Sequence, residues 1–244
     1  MPGTRARSDD GFVVEVNNAS GATSFWQKDD NHSIADRRGV STVDYIHAMY
    51  GFLRQAQSRR VLMIGCGGGT LATMLRRAGV AVTIADIDRR SFEIASVYFH
   101  MPDDVDCHVD DGEAFLRRET GTYDAIVLDA YCDGEIPHHM RKHRFFNLVK
   151  SRLRARGSLV LVNLMVSGDE DRGPDRLARL MKRTWRDVRL LDVEGRNGSE
   201  ARNAVALAGA VRKLKRPRLL MRPQRGAKTL ARELRALDFR AVRA

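Results

Sequence analysis

The chain has 244 residues, 43% apolar and 30% charged, which suits one domain with a small appendage and a core that needs no staples. Its longest largely apolar stretch, Leu159 to Val166, is far short of the ~20 residues that span a bilayer. No apolar leader follows the N-terminus, and three cysteines at unrelated spacings (Cys66, Cys107, Cys132) argue for a reducing, cytoplasmic setting. The net charge of +11 is concentrated: residues 211–244 hold 12 Lys and Arg against two acids, which leaves +1 for the rest.

The alternating run Phe12-Val13-Val14-Glu15-Val16, followed by Asn17, Asn18 and Gly21, predicts a small N-terminal β-hairpin region over residues 1–40. Val43, Ile46, Met49, Tyr50 and Leu53 recur at helical spacing, so a helix is expected from Thr42 to about Gln57. From Arg60 strands and helices alternate. Strands are predicted at 61–65, 81–86, 105–109, 125–129, 158–164, 188–193 and 204–208. Helices are predicted at 70–77, 89–99, 113–118, 142–153 and 174–185. Such alternation with continuous apolar strands implies a Rossmann-like α/β domain over 41–210, with a mostly parallel sheet covered by helices on both faces. Residues 211–244 form a basic extension, and Leu230, Leu234 and Leu237 dock part of it as a helix.

Ligands of such sheets bind beyond the carboxyl ends of the strands, and the informative residues stand there. Gly65-Cys66-Gly67-Gly68-Gly69-Thr70 follows the first strand of the alternation. A glycine loop lets the backbone approach a ligand, and the next helix offers free N–H groups. The second strand ends at Asp86, placed to accept hydrogen bonds from ribose hydroxyls. After the third comes Asp110-Asp111-Gly112, a rim carboxylate for an exocyclic amine. Each acid alone is also a plain helix cap; three successive strand ends together point to an adenosyl-type ligand. The fourth strand ends at Asp129, followed by Tyr131, Asp133 and Glu135. A strand-end carboxylate beside an aromatic suits a cationic amine nucleophile. Asp133 and Glu135 are either binders of a second ammonium or ordinary loop charges. Asn163 is a further polar rim group or only a satisfied amide.

The stretches VLMIGCGGGTLATML, VTIADID, DDGEAFLR, YDAIVLDAYCDGEIPHHM and NAVALA resemble the spermidine synthase (polyamine aminopropyltransferase) branch of the class I S-adenosylmethionine-dependent methyltransferase fold. The resemblance implies a seven-stranded sheet whose last strand is antiparallel. It implies S-adenosylmethionine or its decarboxylated form as co-substrate, with Gly65, Gly67, Asp86, Asp111 and Gly112 around it. Asp129 and Tyr131 are the implied catalytic residues. Tyr45, Asp133, Glu135 and His139 are the implied acceptor-binding residues, and a small-molecule amine and a homodimer are the implied partners. His32-Ser33 lies where the branch often has Gln-Ser near the co-substrate.

Three departures separate the chain from the polyamine enzymes. Gly68 stands where their glycine loop carries an acid for the aminopropyl ammonium. Asp133 is followed by Gly134 rather than Pro. Tyr45-Ile46-His47-Ala48-Met49 lacks the acid of their Tyr-x-Glu-Met pattern. Methyl transfer on the same scaffold is therefore the competing expectation. Histidines 138, 139 and 143 find no completing ligand, so no metal is expected. The basic extension reads as a solvated surface, with contact to nucleic acid or an anionic surface the lesser possibility.

Overall fold

The computed structural model describes residues 4–7, 12–27, 30–132, 134–168, 170–193 and 202–242. Four short strands come first: β1 (Thr4–Arg7), β2 (Phe12–Val16), β3 (Thr23–Gln27) and β4 (Asp30–Ala35). They pair antiparallel in chain order, a four-stranded sheet rather than one hairpin. The Asn17 side chain accepts from the Ala19 and Ser20 N–H groups at 3.1 and 2.9 Å and so closes the β2–β3 turn. Phe12, Val14 and Phe25 form its buried side and meet Phe99 of the main domain.

Helix α1 (Asp44–Gln55) leads into the alternating part: β5 (Arg60–Ile64), α2 (Thr70–Arg77), β6 (Ala81–Asp86), α3 (Arg89–Phe99), β7 (Asp106–Val109), α4 (Gly112–Arg118) and β8 (Ala125–Leu128). There follow α5 (His143–Ser151), β9 (Leu159–Val166), α6 (Gly173–Lys182), β10 (Val188–Val193), β11 (Arg202–Gly209), α7 (Ala227–Ala236) and β12 (Phe239–Arg240). The second sheet runs β12-β10-β11-β9-β8-β5-β6-β7. Strands β5 to β9 pair in parallel, and β11 is antiparallel to both its neighbours. Strand order reverses between β5 and β8, the crevice where ligands of open α/β sheets sit.

The period-2 pattern sorts the strand side chains into two cores. Val61, Met63, Val127, Leu159, Leu161, Val205 and Leu207 pack against α1, α2 and α7. Leu62, Ile64, Ile126, Leu128, Val160 and Val162 pack against α4, α5 and α6.

The expected count of seven strands is corrected to eight, because the basic extension adds β12 to the sheet edge beside β10. Leu230 and Leu234 are fully buried and Leu237 nearly so. Phe239 packs tilted against Phe52 with ring centroids 5.5 Å apart, and the Arg189 guanidinium lies 3.4 Å from the Phe239 ring centroid. Arg240 reaches the fully buried Asp175 at 2.8 and 3.1 Å. The leg before α7 is tied along α1, where Gln55 holds both backbone groups of Lys215. A two-residue strand has no periodicity to read, which is why the sequence pattern did not reveal it.

Candidate active site

The crevice begins at the glycine loop. Gly65 has φ 96°, and a Cβ there would stand 2.2 Å from the carbonyl oxygen of Asp129. Only glycine lets the loop lie against the end of β8. Asp86 closes the loop from the other side. Its Oδ2 accepts the Cys66 N–H at 2.7 Å and its Oδ1 the Asp88 N–H at 2.9 Å. Burial pushes its pKa up, against the pull of those two bonds. Asp111 caps α4, with Oδ1 accepting from the Glu113 and Ala114 N–H groups at 3.0 Å each. Its Oδ2 lies 2.9 Å from His139 Nε2. Gly112 packs flush on Ile64, since a Cβ would come within 2.3 Å of that side chain.

Two apolar side chains beside these acids, Ile87 and Val109, are 70% and 49% exposed. Neither stands out in the sequence. Their signal is an apolar residue one step beyond a strand-end acid (Ile87) or just before one (Val109). They offer apolar surface for a flat ring at the rim.

The other half of the crevice centres on Asp129. Asn163 Nδ2 donates to its Oδ1 at 2.8 Å, and the Tyr45 hydroxyl stands 3.4 Å from its Oδ2. Asn203 Nδ2 in turn donates to Asn163 Oδ1 at 2.9 Å. Burial raises the Asp129 pKa, partly offset by the Asn163 and Tyr45 contacts. Burial, followed by the nearby Asp129 charge, pushes Tyr45 and Tyr131 well above the usual phenol range. The Tyr131 hydroxyl is buried and short of full hydrogen-bond geometry with any group, although the Met165 backbone faces it.

The placement follows from the strand pattern. Along β5, β8, β9 and β11 the stripe facing α1 runs Val61-Met63, Ala125-Val127, Leu159-Leu161 and Leu207-Val205. Continued at the same period, these stripes arrive at Gly65, Asp129, Asn163 and Asn203. Three adjacent strand segments, of β8, β9 and β11, thus bring Asp129, Asn163 and Asn203 into one polar row that meets Tyr45 of α1, with Gly65 beside it. Asn203 was not singled out from the sequence. Its signal is an amide completing an apolar stripe, but its partner depends on the pairing of two strands distant in sequence.

The remaining expectations divide. Tyr45, Tyr131 and Asp129 are brought together. Glu135 pairs with Arg141 at 2.7 Å and its side chain is 68% exposed. His139 meets Asp111 rather than the Asp129 group, and His138 meets Lys142. Asp133 and the His32 side chain lie outside the described residues. Ser33 Oγ accepts the Gly68 N–H at 2.8 Å, and a Cβ on Gly68 would stand 2.7 Å from Ser33 Cβ. An acid at position 68 is therefore excluded by packing unless Ser33 yields. Among the described residues no three His, Cys, Asp or Glu side chains gather to hold a metal ion. No helix among them is long and apolar enough to cross a membrane.

Residues 61–157 match the family model described as "Methyltransferase domain". The chain is 29% identical over 160 residues to a "Probable polyamine aminopropyl transferase" of Bifidobacterium longum, covering 65% of this chain and 34% of that one. It is 30% identical over 147 residues to "Polyamine aminopropyltransferase 2" of Pseudomonas aeruginosa, covering 56% and 42%. The chain thus spans well under half the length of these curated relatives. A probable spermidine synthase from Corynebacterium glutamicum superposes with a TM-score of 0.73 at 17% identity, over 99% of this chain and 91% of that chain. The fold is therefore the Rossmann-like one of that structure, and residues 61–157 within it are similar to a methyltransferase domain. Within that fold the chain is similar to the polyamine aminopropyltransferases named above.

Proposed function

We propose that the chain transfers an aminopropyl group from decarboxylated S-adenosylmethionine to a small amine. The observation that carries this reading is the buried Asp129 carboxylate, hydrogen-bonded by Asn163 and approached by Tyr45 at the strand end against which Gly65 of the glycine loop lies. The donor lies over that loop, with its ribose on Asp86, its adenine beside Ile87 and Asp111, and its sulfonium toward Asp129. The attacking amine nitrogen forms a bond to the carbon next to the sulfonium. The carbon–sulfur bond breaks, its electron pair stays on sulfur, and methylthioadenosine leaves. The amine proton passes to Asp129.

An amine nucleophile starts as a cation with a pKa near 10, so a carboxylate must both attract it and accept its proton. Burial of Asp129 makes it a stronger base than an exposed aspartate, which favours the transfer. Tyr45 and Tyr131 stay neutral and offer aromatic faces to the cation. Holding amine and carbon in line supplies several kcal/mol of the acceleration, about 7 or more in well-oriented cases. A cytoplasmic setting and a homodimer belong to the same proposal.

One observation favours a second reading, methyl transfer from intact S-adenosylmethionine. Gly68 places no acid on the loop, so nothing there repels the carboxylate of the intact donor. Incubation with each donor and a panel of di- and triamines separates the two. Release of methylthioadenosine from the decarboxylated donor is expected. Release of S-adenosylhomocysteine from the intact donor alone would replace the first reading with the second.

A further inference from the structure

We infer that Asn203 is a positioning residue: through Asn163 it fixes which oxygen of Asp129 is left free to meet the acceptor. The inference rests on the reading of Asp129 as the acceptor's base. A carboxylate only accepts hydrogen bonds, so Asn163 must present its NH2 group to Asp129 Oδ1. That turns the Asn163 carbonyl oxygen away from Asp129, toward Asn203, whose Nδ2 donates to it at 2.9 Å. The donor direction therefore runs one way, from Asn203 to Asn163 to Asp129.

Strand register explains how residues 40 apart from each other meet. Val205 of β11 opposes Asn163 of β9, and Asn203 lies two residues along on the same face. Such diagonal neighbours are within reach of long side chains. Asn163 is 2% exposed, so water does not replace a lost partner there. With Oδ1 occupied, Oδ2 keeps, among the described residues, only the long 3.4 Å approach of the Tyr45 hydroxyl. It is the oxygen left to receive a proton. Among the described residues the titratable groups facing Asp129 are Tyr45 from α1 and Tyr131 from the loop after β8, and both remain neutral near pH 7.

The variant Asn203→Asp keeps the shape and replaces the donor by an acceptor. Asn163 then turns its NH2 group to position 203 and its carbonyl oxygen to Asp129. That contact is relieved only when Asp129 is protonated. The variant Asn203→Leu removes the donor without adding a charge and gives a second route if the first does not fold. The variant Asn203→Gln retains an amide donor and should restore much of the effect.

The test is carboxyl NMR on the full chain labelled with 13C at aspartate, with the Asp129 signal assigned by its loss in Asp129→Asn. No substrate is needed. The Asp129 midpoint should rise by about one pH unit or more in Asn203→Asp, less in Asn203→Leu, and return toward wild type in Asn203→Gln. An unchanged midpoint in both folded donor-less variants overturns the inference. A shifted midpoint in a protein that releases no methylthioadenosine upholds the relay and removes aminopropyl transfer. Release with an unshifted midpoint does the reverse.

Discussion

The two halves of the crevice hold their carboxylates in different ways. Asp86 and Asp111 are bonded by backbone N–H groups of Cys66, Asp88, Glu113 and Ala114. Asp129 is bonded by side chains, Asn163 and Tyr45, that come from 34 and 84 residues away. Backbone donors survive any substitution except proline, so the half that would take the nucleoside is built to persist. Side-chain donors can be exchanged one at a time, so the half that would take the acceptor is open to change. The same scaffold can then keep one donor class while its acceptors vary.

The contrast breaks most visibly at Asp129. Asp129→Asn is expected to reduce turnover by roughly 10²–10⁴-fold while leaving donor affinity unchanged, as read by methylthioadenosine release and calorimetry. In the wild type, activity should rise with pH as Asp129 ionises, with a midpoint above that of an ordinary aspartate. The linked stability has the opposite sense. The folded state holds this proton to higher pH than the unfolded chain, so the contribution of Asp129 to stability falls as pH climbs from the unfolded midpoint past the folded one. Asp129→Asn removes that penalty, and its Tm at neutral pH should exceed that of wild type.

A side-chain partner outside the crevice sharpens the point. Asp175 is fully buried and meets Arg240 of the basic extension. Arg240→Ala takes the guanidinium away from that buried carboxylate and should cost about 3–5 kcal/mol, measured by denaturant unfolding; a loss below 1 kcal/mol would show this ion pair to be dispensable to the fold. In the backbone-held half, Asp86→Ala should weaken donor binding by about 1.5–3 kcal/mol. The smallest effect is expected at Ser33. Ser33→Ala deprives the buried Gly68 N–H of its partner and should cost about 1 kcal/mol of stability. An acid at Gly68 should be tolerated better in Ser33→Gly, which removes the Cβ it would strike, than in wild type.

The same division governs what the sequence reveals. Helices Thr70–Arg77 and Arg89–Phe99 and strands Ala81–Asp86 and Val188–Val193 stand at the bounds their apolar periodicity predicts. Asp86 and Asp111 follow the same rule, since a strand-end acid before a helix is a local pattern. Asn203 does not. Its meaning depends on the antiparallel register of β11 against β9, which no local window contains. His139 was expected over the acceptor, yet it bonds Asp111 across the gap between the loop after β8 and the start of α4. Strand β12 was missed because two residues carry no period, and its place is fixed by Phe239 on Phe52 and Arg240 on Asp175.

The central claim is that one hollow gathers a nucleoside-holding half at Asp86 and a reacting half at Asp129. Calorimetric titration of decarboxylated S-adenosylmethionine into wild type, Asp86→Ala and Asp129→Asn tests it most directly. Binding should be roughly 10- to 150-fold weaker in Asp86→Ala and unchanged in Asp129→Asn. Equal affinity in all three proteins, or no heat of binding in any of them, would contradict it.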